Sequence, residues 1–266
     1  MFLHTYSPSP IAGHFGTLTI YWYGVFLSLA VLAGYAVTYF LIKKYQAKDR
    51  EIFWVKLDIF VLWTLLLAVI GARLWFVFYH LNYFWVNPVE IFAVWHGGWV
   101  WHGALVGGLV ASFITWRKDL TRLPIFLDLI APALALAQAI GRWGNYFNQE
   151  AFGRPTSLPW GIPIDYAKRP VALAGQSYFH PTFLYESIFD LGLFFGLWWL
   201  LSQFKSMKTG SVFAWYLLLY SLGRFAVEFL RVDEVPIWLG LRAPQWVSLI
   251  LMAVAVAWLV KPRVKC

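Results

Sequence analysis

Seven apolar runs recur along this chain of 266 residues and leave it few folds to choose from. They cover residues 18–42, 57–79, 99–116, 125–141, 182–204, 211–230 and 244–260. A spanning helix needs about 20 mostly apolar residues, and in hydrocarbon every backbone polar group must be bonded inside its own helix or a closed barrel. The runs therefore read as an all-α polytopic membrane protein of about seven transmembrane helices. Composition agrees: 13% of the residues are charged, against roughly 25% in soluble domains. No internal repeat and no second large domain is evident, so residues 1–266 read as a single integral-membrane domain.

Lysine and arginine in the connections set the orientation. Thirteen fall in the connections after the first, third and fifth runs and after the seventh, among them Lys43, Lys44, Lys118 and Lys261. Seven fall on the other side: Arg142, Arg154, Lys168, Arg169, Arg224, Arg231 and Arg242. The N-terminus is thus expected outside, on the periplasmic face, and the C-terminus in the cytoplasm. Basic groups scattered this way suit orientation and contact with anionic membrane lipids, not nucleic acid. Residues 1–16 hold no basic residue before the first apolar run, so no cleavable signal peptide is expected there. The single cysteine, Cys266, allows no internal disulfide. Residues 145–181 carry Pro155, Pro159, Pro163, Pro170 and Pro181 and are too polar to span; they are expected to form an irregular outer cap between helices four and five.

The densest polar cluster follows the fourth run: Arg142, Asn145, Asn148 and Glu150, with Gly141, Gly144 and Gly153 allowing close backbone approach. Ionisable groups near a membrane core are costly and mark function, although an Arg–Glu pair at a helix end is the plain alternative. Tyr220, Arg224 and Glu228 fall on one helical face in the sixth run. Tyr185 and Glu186, just after Pro181 in the fifth, face the outer half of the bundle. Arginine forks match phosphate oxygens, so this mouth reads as a pocket for an anionic headgroup. Other polar residues have plainer readings. Arg73 is a structural ion pair with Asp58 or Glu90, or a lipid contact; Asp128 caps or pairs; Tyr21 and His96 are interfacial; Tyr23 either anchors or points inward. His102, beside Gly103, can exchange a proton near neutral pH. The spacing of the two histidines gives no metal site.

These residues resemble the prolipoprotein diacylglyceryl transferase family of bacteria. The pattern Gly-Arg-x-Gly-Asn-x-x-Asn-x-Glu-x-x-Gly runs through Gly141, Arg142, Gly144, Asn145, Asn148, Glu150 and Gly153. His102-Gly103-Ala104 follows the family's His-Gly-Gly, with Ala104 replacing the second glycine. His180, Pro181, Leu184, Tyr185 and Glu186 form a third motif, and Arg224, Phe225, Glu228 and Arg231 a fourth. The resemblance implies a bacterial inner-membrane enzyme with its active site toward the periplasm. Such an enzyme moves the sn-1,2-diacylglyceryl group of phosphatidylglycerol onto the lipobox cysteine thiol of a preprolipoprotein signal peptide, as the first step of lipoprotein maturation. It implies no cofactor and no metal. Its catalytic residues would be His102, Arg142 and Arg224. Phosphatidylglycerol would be bound by Arg142, Asn145, Tyr23, Glu150, Gly153, Glu228 and Arg231. Here Arg142 and Arg224 meet the phosphate, His102 or a positive field activates the thiol, Asn145 and Tyr23 orient the headgroup, and Glu150 and Glu228 hold the arginines. A lipid or small-anion transporter is the alternative; it would need polar groups through both halves of the membrane, whereas these crowd one.

Overall fold

The computed structural model describes residues 2–46, 48–93, 97–203 and 207–261. His96 and Cys266 lie outside the described residues. In chain order the elements are α1 (Phe2–Thr5), the hairpin β1 (Ile11–Phe15) and β2 (Leu18–Tyr21), α2 (Trp22–Tyr45), α3 (Arg50–Tyr79), α4 (Leu81–Val86), α5 (Trp101–Trp116), α6 (Leu123–Asn148), β3 (Ile162–Pro163), β4 (Tyr178–Phe179), α7 (Thr182–Ser202), α8 (Ser211–Glu228), β5 (Ile237–Trp238), β6 (Leu241–Arg242) and α9 (Ala243–Val260). The protein is mostly helical, as an all-α membrane protein should be. Helices α2, α3, α6, α7 and α9 are long and apolar enough to cross a bilayer, and α5 is a shorter apolar helix.

Three boundaries differ from the hydropathy reading. Helix α3 begins at Arg50, seven residues before the apolar run, because the charged turn Arg50-Glu51 and Lys56 continue the helix past the apolar stretch. Residues 18–21 belong to a strand paired with β1, not to the first helix, because Gly16 with φ +62° turns the chain back on itself. Helix α6 does not stop at residue 141 but continues to Asn148. Hydropathy falls there because of Arg142 and Asn145, but the backbone stays helical and aromatic packing holds it. Phe147 stacks on Trp22 and Phe26 of α2 at 4.9 and 5.5 Å, and Tyr146 stacks on Phe183 of α7 at 4.8 Å.

The chain forms two compact units, residues 1–38 with 127–266, and residues 39–126. In the first, α8 packs on α7 and α9. Asp128 accepts hydrogen bonds from Gly210 N (2.6 Å) and Phe213 N (2.9 Å), so it caps the start of α8, the structural role expected of it. The polar segment after α6 is tied down by its own small core. Tyr146, Phe152, Ile162, Ile164, Phe179 and Phe183 are buried together, and β3 pairs with β4 through Ile162–Phe179 and Pro163–Tyr178.

In the second unit α3 and α5 lie backbone to backbone. A Cβ on Gly103 would run into the main chain of Gly71, and one on Gly107 into that of Leu67. Small residues four apart permit this approach where no hydrophobic force drives apolar helices together. Gly103→Leu is therefore expected to lower the unfolding temperature in detergent by roughly 5 °C or more, because overpacking against main chain costs about 1–3 kcal/mol. An unchanged melting curve would show that the helices can slide apart freely. Arg73 is buried in the same unit. Its guanidinium donates to the carbonyls of Glu90 (2.5 Å), Gly97 (2.6 Å) and Ile91 (3.0 Å). These bonds fit the structural one of the two roles expected of it: the buried guanidinium is satisfied by main-chain carbonyls of residues 90–97.

Candidate active site

Within the first unit, helices α6, α7 and α8 bring a ring of arginines around one carboxylate. Glu186, only 4% exposed, lies 3.0 Å from Arg142 Nε, 3.3 Å from Arg224 Nη1 and 3.8 Å from Arg231 Nη1. Glu228 is buried as well and makes two contacts of 2.7 Å, one with Arg224 Nη2 a turn earlier and one with Arg242 Nε from β6. Arg242 also donates to the carbonyls of Arg231 (3.1 Å) and Asp233 (2.6 Å), while Arg231 Nε meets Asp233 Oδ2 at 2.5 Å. Buried charges persist only when paired, and this network supplies the pairs: even Glu186 Oε2 and Glu228 Oε2, which accept no hydrogen bond among the described residues, have an arginine nitrogen at 3.0 and 2.7 Å. Each guanidinium carries five N–H donors. The side chains of Arg142 and Arg224 remain 19% exposed, and both line the adjoining cavity.

A cavity of about 330 Å³ adjoins the ring. Arg142, Glu186 and Arg224 line it together with Asp190, Tyr185 and Tyr220; Phe189, Leu222 and Val227 supply apolar wall. Ligand cavities typically begin at roughly 300 Å³. This one suits a headgroup, not a whole two-chain lipid.

The end of α6 turns sharply. Gln149 (φ 52°) and Ala151 (φ 59°) both take the left-handed conformation, which costs energy for residues with a Cβ and marks places where surrounding structure dictates geometry. Gln149 donates to the carbonyl of Pro8 (2.9 Å) and to Asp165 Oδ2 (2.7 Å), and Ala151 O accepts from the Thr182 hydroxyl. The turn folds Glu150 back onto its own helix, where Oε1 accepts from Asn145 Nδ2 at 2.9 Å and Asn148 Nδ2 at 3.5 Å. Sequence reasoning expected Glu150 to hold the arginines; the carboxylate that bridges them is Glu186. The strained turn aims Glu150 at the two asparagines, while the α7 register aims Glu186 at the arginines.

The glycines divide by role. A Cβ on Gly144 would strike the Tyr23 ring, and one on Gly153 would press on His180, Thr182 and the Leu230 carbonyl; a Cβ on Gly141 would meet open space. Gly153 N donates to His180 O (2.9 Å) and the residue bridges to Arg231, so it stitches the segment after α6 to the arginine network. The Tyr185 hydroxyl accepts from Trp160 Nε1 (2.9 Å) and sits 3.0 Å from His180 Nδ1, which fixes the start of α7 and so the aim of Glu186. Tyr23, Arg142, Asn145, Glu150, Gly153, Arg224, Glu228 and Arg231 all belong to the first unit. His102 belongs to the second, in the first turn of α5, exposed, with its ring 6.1 Å from that of Trp75. The sequence places Glu186 on the outer half of the bundle without its arginine partners, and it shows Arg242 as one more basic residue of the connections. The signal for Asp190 is a second carboxylate four residues after Glu186 in an apolar helix.

A model of the family described as prolipoprotein diacylglyceryl transferase matches residues 10–261. The chain is 44% identical over 255 residues to a protein of Trichormus variabilis, an alignment that covers 93% of this chain and 87% of that one. It is 40% identical to one of Gloeobacter violaceus (95% and 93%) and 43% identical to one of Nostoc sp. (96% and 89%). All three relatives carry the name phosphatidylglycerol–prolipoprotein diacylglyceryl transferase.

Proposed function

The chain belongs to the prolipoprotein diacylglyceryl transferase family, and from that premise we propose that it transfers the diacylglyceryl group of phosphatidylglycerol to the lipobox cysteine thiol of preprolipoproteins. It is a multi-pass membrane transferase, with the whole chain acting as one catalytic domain. The observation that carries the reading is the convergence of Arg142, Arg224 and Arg231 on Glu186 beside a headgroup-sized cavity.

In the reaction the C–O bond between the lipid glycerol carbon and the phosphate breaks and a C–S bond forms. The phosphate leaves as glycerol phosphate, and the thiol proton ends on its oxygen or in solvent. Arg142 and Arg224 take the phosphate and stabilise the charge that grows on it, with Arg231 beside them. Glu228 holds Arg224 in place. Asn145, with Glu150 polarising its amide, and Tyr23 orient the headgroup. Gly153 keeps the segment after α6 against the arginines. His102 removes the thiol proton, since thiolate is the nucleophile. Seven helices cross the bacterial inner membrane with the N-terminus and the site on the periplasmic side, and residues 149–181 cap that mouth; the imbalance of lysine and arginine between the two sides supports this orientation.

The test is a transfer assay with purified protein, phosphatidylglycerol vesicles and a lipobox peptide bearing one cysteine. The expected result is a diacylglyceryl mass gain with release of glycerol phosphate, absent for the Cys→Ser peptide. No gain from folded protein would point to anion transport and a flux assay. In the same assay His102→Gln is expected to lower kcat about 100-fold or more with little change in KM for the lipid. Near-normal turnover would remove His102 from the role of base.

A further inference from the structure

Asp190 has no part in the chemistry described above. It is 2% exposed, one turn after Glu186 on α7, and it lines the cavity with Arg142, Tyr220 and Arg224. Its Oδ2 has no hydrogen-bond partner among the described residues. Glu186 Oε2 and Glu228 Oε2 also accept no hydrogen bond, but each has an arginine nitrogen within 3.0 Å, whereas Asp190 makes no ion pair among the described residues. A buried carboxylate oxygen with neither is costly, so its persistence asks for a partner that arrives with a ligand. Arg142 has a nearer counter-charge in Glu186, 3.0 Å from its Nε.

A free acceptor is out of place in a pocket that serves only a phosphate, since like charges repel. It becomes useful if the same ligand also brings donors. Resting on the transferase reading, we propose that Asp190 determines headgroup specificity by accepting hydrogen bonds from the terminal glycerol hydroxyls of the phospholipid donor. The arginines hold the phosphate, and Asp190 on the neighbouring turn of α7 takes the diol. A headgroup with the same phosphate but no hydroxyl leaves that oxygen desolvated and unpaired, which is the arrangement by which polar sites reject an analogue lacking a hydroxyl.

The experiment compares phosphatidylglycerol with phosphatidylpropanol, which has the same phosphodiester and a three-carbon headgroup without hydroxyls. Both donors are assayed for transfer to the lipobox peptide by wild type and Asp190→Ala. Wild type is expected to favour phosphatidylglycerol in kcat/KM by about ten- to a hundredfold, the worth of a hydrogen bond to a charged group. Asp190→Ala is expected to bring the two donors within about threefold, through loss on phosphatidylglycerol alone. Asp190→Asn keeps the shape without the charge; if the alanine variant does not fold, it carries the test, with the preference expected to fall at least threefold or so. Equal losses on both donors would assign Asp190 a purely structural role and overturn the proposal, as would an unchanged preference. A folded wild type that transfers from neither donor overturns the transferase reading and this inference with it, whereas the preceding outcomes overturn this inference alone.

Discussion

Replacing Glu186 by glutamine is expected to lower turnover at least about 100-fold and to lower stability as well, by about 3–5 kcal/mol, the usual cost of breaking a buried ion network from one side. Among the described residues, Glu186 is the one carboxylate that pairs with Arg142, Arg224 and Arg231 together. Without its charge, three guanidiniums face one another with less compensation, and each can settle elsewhere. A displacement of about 1 Å in a positioning group is enough to cost about 100-fold in rate. Transfer kinetics and thermal unfolding in detergent check the two parts separately. The double variant Glu186→Gln/Arg231→Gln separates them further. It relieves the repulsion, so stability is expected to recover in part, but turnover is not, because the two remaining arginines stay unaligned. Wild-type turnover in the single variant would show that the arginines hold their places without Glu186.

Arg142→Ala is expected to lower kcat about 100- to 1,000-fold, the measured range for loss of one preorganised donor to a developing oxyanion. Its effect on stability should be smaller than that of the Glu186 change. Glu186 keeps Arg224 and Arg231 after Arg142 is gone, whereas the arginines lose their shared partner when Glu186 is neutralised. Arg142→Lys should rescue little. Lysine retains the charge but not the fork, and here Nε is already committed to Glu186 while the rest of the guanidinium remains for a phosphate. The check is kcat and KM for phosphatidylglycerol in both variants. Full activity in Arg142→Lys would reduce the requirement to a point charge, and full activity in Arg142→Ala would move the phosphate contact to Arg224.

The cluster Arg142, Asn145, Glu150 and Gly153 could be found from the sequence because its spacing is local: a polar group inside or beside an apolar run stands out wherever the chain later places it. The pairing of Arg224 with Glu228 was legible for the same reason, since four residues bring side chains together on any helix. Glu186 was visible but its partners were not. They sit 38 to 45 residues away on α8 and beyond, and 44 residues away on α6. Arg242 looked like one more basic residue in a connection until β6 brought it to Glu228. The same holds for the glycines: equal in sequence, Gly144 and Gly153 are sites of close approach and Gly141 is not.

What the sequence determined alone was the class of fold and the positions of its apolar helices, because hydrocarbon admits only segments that satisfy their own backbone, and that property is additive along the chain. Only the tertiary structure decided which carboxylate gathers which arginines, that α6 carries its polar residues as helix, and that Asp190 faces a cavity with an oxygen to spare. Those outcomes depend on how α6, α7 and α8 are rotated about their axes. Packing of large aromatic side chains such as Tyr146 on Phe183 sets that rotation, and no local pattern of residues encodes it.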